Sequence, residues 1–124
     1  MTKIGIIRCE KNETRCPLTG CINSLNATAQ GFDQYDQAQL MGVFTCRCPG
    51  DNAVDMGKIL KSKGAEAIHF CTCTFAHKDG NEWLAGDGFC ENVDAVMQRV
   101  ADAVGIPCVK GSAHLPQGYQ PASF

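Results

Sequence analysis

Residues 39–73, "QLMGVFTCRCPGDNAVDMGKILKSKGAEAIHFCTC", hold the stretch that decides the fold. An apolar run at 39–45 reads as a strand. It stops at Cys46-Arg47-Cys48-Pro49-Gly50, and Asp51 stands where an N-cap would start a helix over about 52–63. Ala53, Gly57 and Leu60 fall on one face of that helix, with Val54 beside them, and Gly64 is a natural stop. Residues 65–71 then read as another buried strand, which ends in a second Cys-x-Cys, Cys71 and Cys73. Strand, helix and strand in this order form the unit of a parallel sheet.

Working outward, "KIGIIR" at 3–8 reads as a first strand, closed by Cys9. The polar segment that follows, with Cys16, Pro17, Gly20 and Cys21, reads as a loop. Leu25, Ala29 and Phe32 share a face in a helix over 22–32. Downstream, residues 72–90 carry three glycines and no period, and read as an irregular excursion over one end of the sheet. Asn92 stands as a cap for a helix to about 104. Its stripe of Val93, Val96, Met97, Val100, Ala101 and Val104 is a core-facing pattern. Gly105 ends that helix, "IPCVKG" gives a fourth strand, and the tail from Ser112 has no regular pattern. The expectation is an α/β fold: a single three-layer domain over residues 1–124, with a four-stranded parallel sheet in the flavodoxin-like order 2-1-3-4.

The net charge of −2 and the scattered lysines and arginines give no nucleic-acid footprint. Lys58, Lys61 and Lys63 concentrate at a helix end, where cations suit the macrodipole. No apolar run approaches the roughly 20 residues needed to span a bilayer, and the N-terminus lacks the apolar core of a signal peptide. The expectation is a cytoplasmic protein that binds neither membrane nor nucleic acid.

The chain has nine cysteines, an odd number, among regular periodic elements. A secreted disulfide scaffold fits this poorly; metal binding or thiol chemistry fits better. Parallel α/β sheets bind ligands at the carboxyl ends of their strands. That edge receives Cys9, Cys46, Cys48, Cys71 and Cys73 from strand ends, Cys90 from before the last helix, and Cys16 and Cys21 from the first loop. His114 follows the fourth strand and can join them. Cys108, inside that strand, reads as packing. So does His69, between Ile68 and Phe70, while His77 falls in the excursion.

A straight Cys-x-Cys holds its sulfurs roughly 6–7 Å apart. Two thiolates on one zinc come within about 4 Å, with Zn–S near 2.3 Å. The chain must therefore turn between the two cysteines, or each pair must donate one sulfur to a site completed from elsewhere. The same thiols suit a thiol–disulfide redox protein using Cys46/Cys48 and Cys71/Cys73, or an iron–sulfur cluster held by about four of them. Buried packing remains the plain reading of any single cysteine. No Gly-rich phosphate loop follows the first strand, and no carboxylate stands beside a histidine pair, so nucleotide and hydrolase chemistry have no support.

These residues resemble the CGGC-domain proteins, a family of small prokaryotic proteins. The likeness covers roughly residues 3–114. It rests on "KIGIIRC" ending at Cys9, "RCP" at Cys16, "CPG" at Cys48, a cysteine after the third strand, "FCENVDAV" at Cys90 and "KGSAH" ending at His114. The family's Cys-Gly-Gly-Cys would fall on Thr45, Cys46, Arg47 and Cys48, and only the last cysteine matches in place. The resemblance implies metal binding, with zinc suggested by the cysteines and histidines, and no particular reaction. The favoured ligands are Cys9, Cys48, Cys73 and Cys90, followed by His114, Cys16, Cys46 and Cys71, and the implied partner is a metal ion.

Overall fold

The computed structural model describes all of residues 1–124. Its strands are β1 (Thr2–Cys9), β2 (Ala38–Cys46), β3 (Ala67–Phe70), β4 (Ala76–Asp79), β5 (Glu82–Ala85), β6 (Cys108–Lys110) and β7 (Ala122–Ser123). Its α-helices are α1 (Thr19–Asn26), α2 (Ala53–Ser62) and α3 (Val93–Val104). The main sheet runs β2-β1-β3-β6-β7, and β4 and β5 form a separate hairpin. The pairs β1/β2, β1/β3 and β3/β6 are parallel, whereas β7 is antiparallel to β6.

The four-stranded, wholly parallel sheet in the order 2-1-3-4 is thus corrected to a five-stranded mixed one. The tail supplies the difference. Phe124 and Cys108 exchange both backbone hydrogen bonds, at 2.8 and 3.0 Å, and this pins the chain end along the edge. The 72–90 segment is also more regular than expected: Gly80-Asn81 turns the β4–β5 hairpin.

Alternation along β1 and β3 divides the core. Ile4 and Ile6 of β1 and Ala67 of β3 pack toward Leu25 of α1 and Phe32. Ile7, Ile68 and Phe70 pack toward α2 and α3. Successive strand residues point to opposite faces, so both faces of the sheet are covered. On α3 the expected stripe buries Val93, Val96, Met97, Val100 and Val104, and Ala101 lies at its margin. Gly105, at φ +79, closes the helix. Helix α2 approaches the sheet closely because Gly5 and Gly42 lie beneath Leu60.

Several boundaries move. Helix α1 starts at Thr19 and ends at Asn26, earlier than the 22–32 span, and Phe32 is buried in a separate 3₁₀ turn. Asn52, not Asp51, precedes α2, and neither Asn52 nor Asn92 caps its helix through its side chain. Lys61 reaches across to α3, where its ammonium donates to the Val104 carbonyl at 2.8 Å and caps the end of that helix.

One irregularity decides where a cysteine faces. Ile4 pairs with Leu40, but Gly5 pairs with Gly42, so Met41 is an extra residue in β2. The bulge switches the facing of everything after it. Leu40 packs with the α1 core, whereas Phe44 and Cys46 pack with the α2/α3 core. Beyond the bulge, Cys46 stands directly beside Cys9.

Candidate functional site

Three elements deliver thiols to the carboxyl edge of the sheet on its α2/α3 face. Cys9 ends β1, and Cys46 ends β2 in register with it. Cys48 follows in the turn before α2, and Cys90 comes from the segment before α3. These four, with Phe70, Thr74, Val93 and Val96, line a pocket of about 20 Å³. That is room for one or two water-sized occupants, which suits an ion and excludes a nucleotide.

The turn that carries Cys48 is held on several sides. The Cys48 N–H donates to Glu10 Oε2 at 2.6 Å. The Arg47 N–H donates to Asn52 Oδ1 at 3.3 Å, and the Arg47 guanidinium meets Glu13 at 3.2 Å. Gly50, at φ +98, presses against Val96, where a β-carbon would come within 2.8 Å of the valine side chain. No L-residue with a side chain fits there without strain. Cys90 Sγ lies 3.5 Å from Asn92 Oδ1.

Two of the pocket's thiols are held toward the neutral form. Burial pushes Cys9 upward. Burial, followed by the neighbouring thiols of Cys90, Cys9 and Cys48, pushes Cys46 to about 11. A cation entering the pocket would reverse that balance, since metal ligation replaces protons. The donor set fits a thiophilic metal in kind and number. Its arrangement is open: no three His, Cys, Asp or Glu side chains of the chain stand close enough together to hold a metal ion. Cys48 is the one exposed member of the four.

The other sequence-predicted residues lie elsewhere. Cys71 is buried on the α1 face, with its Sγ 3.9 Å from Cys21 Sγ. Cys21 itself lies in α1 rather than in a loop. The adjacent Cys71 thiol lowers Cys21 to about 6, against the opposing effect of burial, and Cys71 is pushed well up. Cys73 lies between the two groups of thiols: it packs against the α1 core and lines a wider groove with Asn12, His77, Trp83 and Phe89. Cys16 Sγ accepts the Leu18 N–H at 3.4 Å. His114 is exposed and stacks on Trp83, with ring centroids 5.3 Å apart, so it does not line the four-thiol pocket. The sulfurs therefore share one edge but fall on two faces of the sheet.

His69 is a satisfied core residue. Its Nδ1 bonds the Gly111 carbonyl at 2.8 Å, and its Nε2 faces the Tyr35 hydroxyl at 2.8 Å. The carbonyl only accepts, so Nδ1 carries the proton and Tyr35 donates to Nε2. Burial lowers its pKa to about 4. Cys108 is fully buried, and burial pushes it up to about 12.

The sequence reading missed Glu10 and Asn52, the two side chains that fix the Cys-x-Cys turn. Glu10 follows Cys9 directly, so its closeness to any β1 site was available from the sequence; its bond to Cys48 needed the β1/β2 register.

A family model described as the CGGC domain matches residues 3–113. An uncharacterized protein of Methanocaldococcus jannaschii is 31% identical over 119 residues, covering 89% of this chain and 85% of that protein. No solved structure matches the chain.

Proposed function

Taking as premise that the chain belongs to the CGGC-domain family, we propose that it binds a thiophilic metal ion, zinc, through Cys9, Cys46, Cys48 and Cys90. The single observation that supports this reading is the meeting of four thiols from three separate segments in one ion-sized pocket. Packing alone gives no reason for Cys48, which is exposed, to be there. The thiols are not converged, so metal uptake requires the four cysteine side chains to turn toward one another. Thiolate ligands would supply a soft, strongly bonding set. Cys73, Cys71, Cys16 and His114 are left outside the ligand set. A reducing compartment, the cytoplasm, is where nine free thiols persist.

A second reading follows from the Cys9–Cys46 register. Neighbouring strands lie about 4.8 Å apart, so these two thiols suit a reversible disulfide. One experiment separates the readings: elemental analysis of freshly purified protein, with thiol titration before and after a strong chelator. The metal reading predicts bound zinc in near-equimolar amount and thiols released by chelation. A metal-free protein whose thiols appear only after a reductant supports the disulfide. A visible absorption band in anaerobically prepared protein would replace zinc by an iron–sulfur cluster.

A further inference from the structure

Cys21 and Cys71, on the α1 face, do not line the proposed metal pocket, and Cys73 stands between the two groups. Cys21 Sγ lies 3.9 Å from Cys71 Sγ and 3.0 Å from Ser112 Oγ. Ser112 is fully buried, and its hydroxyl already accepts the Thr72 N–H at 3.2 Å. In return, the Ser112 N–H donates to Thr72 Oγ1 at 3.0 Å. Either the Cys21 thiol or the Ser112 hydroxyl can donate across this contact, and once Cys21 is a thiolate only the hydroxyl can. The group thus contains a sulfur with a positioned hydrogen-bond donor, a second sulfur in near contact, and a rigid frame made by β3, α1 and the 111–113 segment.

We propose that Cys21 and Cys71 are a reactive dithiol that reduces small hydroperoxides, with Cys21 as the attacking sulfur and Cys71 as the resolving one. Cys21 sulfur attacks one peroxide oxygen and the O–O bond breaks. With hydrogen peroxide, the products are Cys21–SOH and one water. The Cys71 sulfur then attacks the Cys21 sulfur, the S–OH bond breaks, and the Cys71 proton leaves with the hydroxyl as a second water. Two thiols and one hydrogen peroxide thus give one disulfide and two waters; the sulfurs lose two electrons and the peroxide gains them. Ser112 stabilises negative charge on Cys21 as the sulfur reacts.

Burial selects the oxidant. Cys21 is 9% exposed and Cys71 1%, so a peptide-sized disulfide cannot seat against the pair, whereas a small hydroperoxide needs only the slight opening at Cys21. Cover comes from the segment after β6. Cys21 follows Gly20, whose added β-carbon would come within 2.7 Å of His114 Nε2. His114 therefore closes over this turn, and the Trp83 stack holds it there.

The test is stoichiometric hydrogen peroxide on the reduced, full-length protein, followed by alkylation and peptide mapping by mass spectrometry. The proposal predicts a Cys21–Cys71 bridge, a loss of about 2 Da, full reversal by dithiothreitol, and slow or absent bridging with oxidised glutathione. C71S should accumulate a Cys21 sulfenic acid that dimedone traps. S112A should slow the reaction about tenfold, as loss of a charge-assisted hydrogen bond implies. Wild-type protein that bridges Cys71 to Cys73, or that oxidises only the Cys9/Cys46/Cys48/Cys90 pocket, overturns the proposal. So does equal bridging by oxidised glutathione. The reading stands apart from metal binding, because C90S removes a proposed metal ligand and leaves the Cys21–Cys71 reaction intact.

Discussion

Acidification tests the buried core through His69. This side chain is fully buried between Phe32 and Tyr35, with both ring nitrogens engaged. Folding lowers its pKa from 6.5 to about 4. A lowered histidine pKa means that the unfolded chain binds the proton more readily than the folded one. The stabilising contribution is therefore fully present above about pH 6.5, declines as pH falls toward 4, and changes no further below that. A gap of about 2.5 pH units corresponds to about 3 kcal/mol. Carboxylates also titrate in this window, so the measurement is a difference: urea unfolding of the wild type and of H69Q at pH 7, 5.5 and 4. The glutamine variant starts less stable, since a glutamine cannot fill the ring's place between Phe32 and Tyr35. Its stability should nevertheless fall by about 3 kcal/mol less than the wild type between pH 7 and pH 4. Parallel pH profiles for the two proteins would refute the reasoning and show that His69 is not held neutral.

Further outcomes follow from close contacts. G31A should cost about 1–3 kcal/mol in urea unfolding, because its β-carbon would meet the Gly111 backbone at 2.7 Å and backbone cannot yield as a side-chain tip can. L60A should cost about 2–5 kcal/mol, since Leu60 fills the space over Gly5 and Gly42. The Lys110–Asp94 ion pair, at 2.8 Å, has an exposed carboxylate, so D94N should change stability by less than about 1 kcal/mol. E10A should leave the fold intact and reduce zinc retention by the whole protein, measured by competition with a chromophoric chelator, because Glu10 accepts the Cys48 N–H that anchors the turn.

Much of the architecture was readable because its signals were strong and local. The α3 stripe, the apolar β1 and β3 runs and the glycine stop after α3 each depend on a single element, and the structure has them where the periodicity put them. What escaped depends on long-range pairing. Strand β7 has only two residues and exists because Phe124 returns to Cys108. The Met41 bulge leaves no mark in composition, yet it sends Cys46 to the α2/α3 face. The hairpin was within reach, since Gly-Asn between short strand-like runs is a turn signal. The site was legible as an edge and not as two faces. Cys9 and Cys71 both end central strands, but Cys9 follows the parity of Ile7 and Cys71 that of Ala67 and His69, which pack on opposite sides of the sheet.

X-ray absorption at the zinc edge, on zinc-loaded protein and on C90S, C48S and C108S, bears most directly on the four-thiol pocket. A shell dominated by sulfur in the wild type and in C108S, with sulfur lost in both C90S and C48S, is the predicted result. A shell of nitrogen and oxygen, or a sulfur count that neither C90S nor C48S alters, would contradict it.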